Sequence, residues 1–174
     1  YQFFHADFGH IVGNMIFLWV FGDDIERALG RLRFLVFYIL SGAIGGIVFV
    51  ASNPESQIEL IGASGAIAGV VIAYIMLRPC AKITVLLGII PVRISAYWVI
   101  GVFVLTQLWN LGAASRSEVA YWCHFGGMLA GAILFPLMKP PLVRLFECRK
   151  PVRDTVVQIG PNRAARAARL DGLR

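Results

Sequence analysis

The chain has 174 residues, 58% of them hydrophobic and only 15% charged, and its mean hydropathy is +0.73. A soluble globular domain carries about 25% charged residues and about 45–50% apolar ones, so a disordered chain, a secreted disulfide scaffold and an ordinary cytosolic enzyme are all excluded. The formal net charge is +6, and where it sits decides what it means.

The elements follow from uncharged runs. Span one, Tyr1 to Gly22, holds a single charge, Asp7, and should stop at Gly22 ahead of a polar turn at Asp23-Asp24. Span two, Phe34 to Pro54, has 21 residues without a charge and closes on Asn53-Pro54, a loop-forming pair. Span three, Leu60 to Leu77, has 18, begins its helix near Gly62-Ala63-Ser64 and stops before Pro79. Ile83 to Val92 is apolar but only 10 residues long and includes Pro91, which reads as a buried or interfacial connection. Span four, Ile94 to Ser115, has 22 residues, and span five, Val119 to Met138, has 20. Crossing a hydrocarbon core of about 30 Å takes about 20 helical residues. Five such runs within 138 residues, almost without a polar face, predict an all-α, polytopic membrane protein.

Charge sets the expected orientation. Arg27, Arg31 and Arg33 follow span one, and Arg78, Lys82 and Arg93 lie between spans three and four. Nine more basic residues follow span five, so that Arg116 alone falls on the opposite side. The positive-inside rule makes the basic side cytoplasmic. Residues 139 to 174 carry nine basic and three acidic side chains, the whole formal charge of the chain. Attraction to anionic lipid at the inner leaflet explains such a tail, and a nucleic-acid partner is not needed. The expected organisation is a transmembrane core over 1–138 and a basic cytoplasmic tail over 139–174, with a short helix around Asn162 to Leu170. Five spans with the C-terminus inside put Tyr1 outside, and a chain starting at Tyr1 without a signal peptide reads as a piece of a longer protein with an earlier span. Cys80, Cys123 and Cys148 lie far apart with no CxxC, so neither a disulfide framework nor a zinc site is expected. No cofactor is implied.

Glycines recur four apart at Gly9/Gly13, Gly42/Gly46, Gly65/Gly69 and Gly127/Gly131. Each pair is a small-xxx-small face that lets helices approach closely in lipid. Gly65 follows Ser64, and Gly127 lies three residues after His124. Packing those two helices would bring a serine and a histidine together.

Ionisable and polar groups within spans are costly and tend to be functional. Four stand out here: His10, Asn14, Ser64 and His124. His124 lies six residues past Glu118, about 9 Å down at the helical rise, and Asn14 lies about 10 Å past Asp7 by the same rise. Ser64 enters from the same side, so the three can share a layer, and His10 and Asn14 share a face at i, i+4. A neutral imidazole can take a serine's proton and return it to the leaving group. Backbone N–H, His and Asn groups can hold the oxyanion. Ser64 would be the nucleophile and His124 the base, with His10, Asn14 and the Ser64 N–H forming the oxyanion hole. No carboxylate lies at that depth, which implies a Ser–His dyad. Each signal alone is commoner as helix packing or interhelical glue; their coincidence at one depth favours a site.

The sequence resembles the rhomboid family of intramembrane serine proteases. The matching residues are His5-x4-His10-x3-Asn14, Gly62-Ala63-Ser64-Gly65 and His124-x2-Gly127-x3-Gly131, in order on successive helices. Phe21-Gly22, Glu26-Arg27 and Gly30 also resemble the turn after the family's second core helix. The resemblance implies that Ser64 and His124 are catalytic, that His10 and Asn14 stabilise the oxyanion, and that His5 is structural. It also implies a six-helix core of which this chain holds the second to sixth helices. The family's first helix, and the Trp-Arg pair of the loop after it, would precede Tyr1. Where some members place an aromatic ring against the histidine, this chain has Ala68, so other packing must orient His124.

The expected activity is therefore hydrolysis of peptide bonds in or near transmembrane segments of other membrane proteins. The expected location is a bacterial inner membrane, with the site opening to the outer face. A silent adaptor that binds transmembrane helices is disfavoured by retention of both dyad residues. A transporter is disfavoured by the lack of an intramembrane carboxylate or lysine.

Overall fold

The computed structural model describes residues 1–55, 60–111 and 119–148. Five helices occur in the order α1 (Phe8–Leu29), α2 (Arg31–Ser52), α3 (Ser64–Leu77), α4 (Ala96–Leu111) and α5 (Tyr121–Met138), with strands β1 (Lys82–Leu87) and β2 (Ile90–Ser95) between α3 and α4. The expected short helix near 162–170 lies outside the described residues.

The α3 helix is apolar on every side and sits in the middle, as a helix without a polar face must. Its residues from Gly65 to Val71, with Ala73 and Tyr74, are all buried. Around it, Phe21, Ile25, Phe37, Ile100 and Phe135 from the other four helices complete the core. The outward faces are apolar too: Trp19, Ile47, Trp98, Leu105, Trp109 and Leu137 are all exposed. In water these would form a large unpartnered apolar surface; in lipid they are solvated.

Five spans of full length are not what the helices provide. The α2 and α5 helices, of 22 and 18 residues, are long and apolar enough to cross a membrane. The α3 and α4 helices are apolar but have only 14 and 16 residues. Nor does α1 stop at Gly22: it continues through Asp23 and Asp24 to Leu29. Both carboxylates pair with Arg27 one turn on, and Asp24 also meets Arg78 of the α3 end at 3.3 Å. The acidic pair is thus a charged helix end, held by i, i+3 and i, i+4 partners. The stop comes at Gly30, whose φ of +81° suits glycine and joins α1 directly to α2.

The all-α expectation also needs correction. Residues 82–95 form an antiparallel hairpin in which Ile83 faces Ile94, Thr84 faces Arg93 and Val85 faces Val92. The β-branched residues of this segment on either side of Gly88 favour a pleated pair over a coil. Ile83 is buried against the bundle. A second correction concerns the cysteines: Cys80 and Cys148 form a disulfide across 68 residues of sequence. The chain after α5 folds back along the end of α3, where the Phe146 N–H donates to the Met76 carbonyl at 2.7 Å. That return places the two thiols together although their sequence spacing carries no sign of it.

Two of the four glycine pairs act differently from the expected helix faces. Gly42 and Gly46 on α2 receive the side chains of Gln2 and Tyr1, while a Cβ at Gly13 would meet nothing within 4 Å. The neighbouring Gly45 is the α2 glycine that touches α5, at the Cys123 carbonyl. Polar contacts order the bundle's ends. Arg33 donates to the Met138 carbonyl at 3.5 Å, and Arg78 meets Asp24. One end therefore gathers Arg27, Arg33, Arg78 and Lys139, and the starts of α1, α3 and α5 lie at the other.

Candidate active site

The site forms where three helices begin. Asp7 caps α1, its carboxylate accepting from the His10 N–H at 2.8 Å. This fixes the first turn and brings His10 and Asn14 onto one face. Ser64 is the first residue of α3, and the first intrahelical bond from an amide donor there is made by Ile67, to Ala63. The N–H groups of Ser64, Gly65 and Ala66 have no backbone acceptor among the described residues, and they lie at the positive dipole end of the helix. His124 stands in the first turn of α5.

The contact between α3 and α5 sets the spacing. A Cβ at Gly127 would overlap the Gly65 carbonyl, and one at Gly131 would stand 2.6 Å from the Gly69 Cα. Only backbone fits at either crossing. With the helices this close, His124 Nε2 lies 2.7 Å from Ser64 Oγ. The other ring nitrogen, Nδ1, lies 2.8 Å from Oε1 of Gln107 on α4. The Tyr121 ring stands edge-on to the imidazole with centroids 6.0 Å apart. Gln107 and Tyr121 are thus the groups around the imidazole where Ala68 supplies no ring.

His10 and Asn14 flank the loop that leads into Ser64. Gly62 has a φ of +111°, and a Cβ there would approach His10 Nε2 to 2.7 Å and Asn14 Nδ2 to 3.6 Å. A side chain there would displace His10 and touch Asn14. Asn14 is buried, and its Nδ2 has no hydrogen-bond partner among the described residues. A buried amide donor left unpaired costs desolvation free energy, which a transient acceptor would recover. His5 packs edge-on against His10 at 5.3 Å, and its Nε2 likewise lacks a partner among the described residues. The N-terminal segment braces the same loop: the Gly62 N–H donates to the Tyr1 carbonyl at 3.2 Å, and the Tyr1 hydroxyl lies 3.6 Å from Cys123 Sγ.

Ser64, His124, His10 and Asn14 therefore lie around one end of the bundle, and Gln107 joins them. Gln107 was not among the residues singled out from the sequence. The signal that marks it is an amide inside the uncharged run Ile94 to Ser115, where a polar side chain must find a partner.

A hydroxyl against an imidazole, beside helix-start N–H groups and a buried amide without a partner among the described residues, is the set of groups that acyl transfer would use. The Rhomboid domain family model matches residues 1–140, and the chain belongs to the rhomboid family, which is membrane-embedded and includes intramembrane proteases. It is 36% identical over 138 residues to "Rhomboid protein 1, mitochondrial" of Saccharomyces cerevisiae, covering 75% of this chain and 38% of that protein. It is 32% identical over 149 residues to "RHOMBOID-like protein 12, mitochondrial" of Arabidopsis thaliana, covering 75% and 43%. To "Rhomboid protease AarA" of Providencia stuartii it is 30% identical over 152 residues, covering 75% and 51%. The chain thus spans about half, or less, of the length of these relatives. Two of the three are mitochondrial by name, so the likeness lends no support to the expected bacterial inner membrane.

Proposed function

We propose that this chain is the catalytic core of an intramembrane serine endopeptidase that cuts other membrane proteins in or near their transmembrane segments. The observation that carries the reading is the 2.7 Å approach of His124 Nε2 to Ser64 Oγ, inside a bundle whose outer surface is apolar. Ser64 Oγ attacks the scissile carbonyl while Nε2 takes its proton. The carbonyl oxygen becomes an oxyanion held by the Ser64 N–H, His10 and Asn14. Collapse breaks the C–N bond, and the imidazolium returns the proton to the leaving amine. Water, deprotonated by the same nitrogen, then frees the acyl group and restores Ser64. The test is reaction with a fluorophosphonate: Ser64 should be labelled in the full-length protein, and labelling absent from wild type, or kept in Ser64→Ala, would refute the assignment.

The buried amide of Asn14 makes a graded expectation. Asn14→Ala removes one oxyanion donor and should lower kcat by about 10²–10³-fold, with KM nearly unchanged. A change confined to KM would assign Asn14 to substrate binding instead.

Orientation follows from charge. The basic end of the bundle faces the cytoplasm or its equivalent, the site opens to the opposite face, and the basic tail meets anionic lipid. An impermeant maleimide should label Glu55→Cys only from the side opposite the basic tail. Labelling from the tail's side would reverse the topology.

A further inference from the structure

We propose that Gln107 is a positioning residue for His124, its side-chain oxygen holding the imidazole in the tautomer that can accept the Ser64 proton. The inference rests on the serine-protease reading. A neutral imidazole carries one hydrogen, on either nitrogen. His124 Nε2 can act as a base towards Ser64 only when that hydrogen is on Nδ1. Gln107 Oε1 faces Nδ1 at 2.8 Å, and a carbonyl oxygen only accepts, so this contact is a hydrogen bond in the productive tautomer alone. In the other tautomer, with the amide in this orientation, two lone pairs would oppose each other there, and an Nε2–H would point at Ser64 Oγ. The serine would then be an acceptor with its proton directed elsewhere.

The same contact fixes the ring's direction. Nε2 and Nδ1 are tied to two different helices, Ser64 on α3 and Gln107 on α4, so rotation of the ring breaks both bonds. As Nε2 takes the proton, both nitrogens carry hydrogen, and the bond to Gln107 becomes charge-assisted and stronger. The neutral amide oxygen does not take that proton, so the transfer ends on His124. Gln107 therefore does by dipole what an orienting carboxylate does by charge. That distinction supplies the test.

Two variants in the full-length protein separate this role from packing. Gln107→Leu keeps similar bulk in an apolar span but removes the acceptor. It should lower kcat, and the rate of fluorophosphonate labelling of Ser64, on the order of 10²-fold, the scale of a small misplacement of a reacting group. KM should change little. Gln107→Glu restores an acceptor and adds charge. It should regain most of the activity, and the acid limb of the pH profile of kcat/KM should move to higher pH, because an adjacent carboxylate favours the imidazolium. Wild-type labelling rates in Gln107→Leu, or a loss in that variant that Gln107→Glu neither rescues nor accompanies with a shifted acid limb, would overturn the proposal. Failure of the protease reading looks different: wild type would then not be labelled at Ser64, and both would fall.

Discussion

Ser64→Ala and His124→Ala are each expected to remove cleavage of a transmembrane substrate almost completely, and combining them should cost no more than either alone. A serine protease that loses its nucleophile or its base slows by about 10⁶-fold in kcat. In the proposed dyad the two groups would act as one unit, because Ser64 Oγ and His124 Nε2 touch at 2.7 Å. Without the imidazole the hydroxyl keeps its proton and attacks poorly; without the hydroxyl the imidazole has nothing to activate. Their free energies are therefore strongly non-additive. Folding should survive, since alanine suits the first turn of α3 and the lost hydrogen bond is worth about 1 kcal/mol. The measurement is kcat/KM for both single variants and the double variant, alongside thermal unfolding. Independent, additive losses would mean that the two residues contribute separately, and the dyad would not stand.

The parts of this arrangement that could be read from the sequence share a physical reason. Ser64, Asn14 and His124 are polar groups at matching depth in apolar runs, and a membrane makes such groups conspicuous. The Gly65/Gly69 and Gly127/Gly131 spacings mark backbones that touch, and α3 and α5 do cross at those four residues. What escaped reading depends on partners that spacing does not reveal. Gln107 is one of several polar side chains in span four, with Thr106 and Asn110, and nothing in its spacing says that it meets His124. The hairpin was hidden by the length of its apolar run and by Pro91, although its β-branched residues favour strands. The Cys80–Cys148 disulfide depends on where the chain after α5 returns. Asp23 and Asp24 look like a helix stop until Arg27 and Arg78 are seen to meet them. Gly42 and Gly46 have the spacing of a helix crossing, yet the N-terminal side chains occupy it.

Gly131→Leu is expected to lower both stability and activity, whereas Gly101→Leu should spare both. At Gly131 even a Cβ would stand 2.6 Å from the Gly69 Cα and press into that residue's carbonyl. Backbone atoms in a packed helix cannot rotate aside as a flexible side chain can, so α5 must move away from α3. Overpacking of this kind costs about 1–3 kcal/mol. His124 lies seven residues earlier on the same helix, about 10 Å along its axis, so separation or tilt at Gly131 carries the imidazole with it. A displacement of about 1 Å lowers a rate by about 10²-fold, and the Ser64–His124 bond has little length to lose. At Gly101 a Cβ would meet nothing within 4 Å. A leucine there extends into open space on α4, and replacing glycine in a helix interior gains up to about 1 kcal/mol of propensity. Thermal unfolding and kcat/KM of both variants in the full-length protein decide the matter. Full activity in Gly131→Leu would show that the approach of His124 to Ser64 does not depend on the glycine crossing.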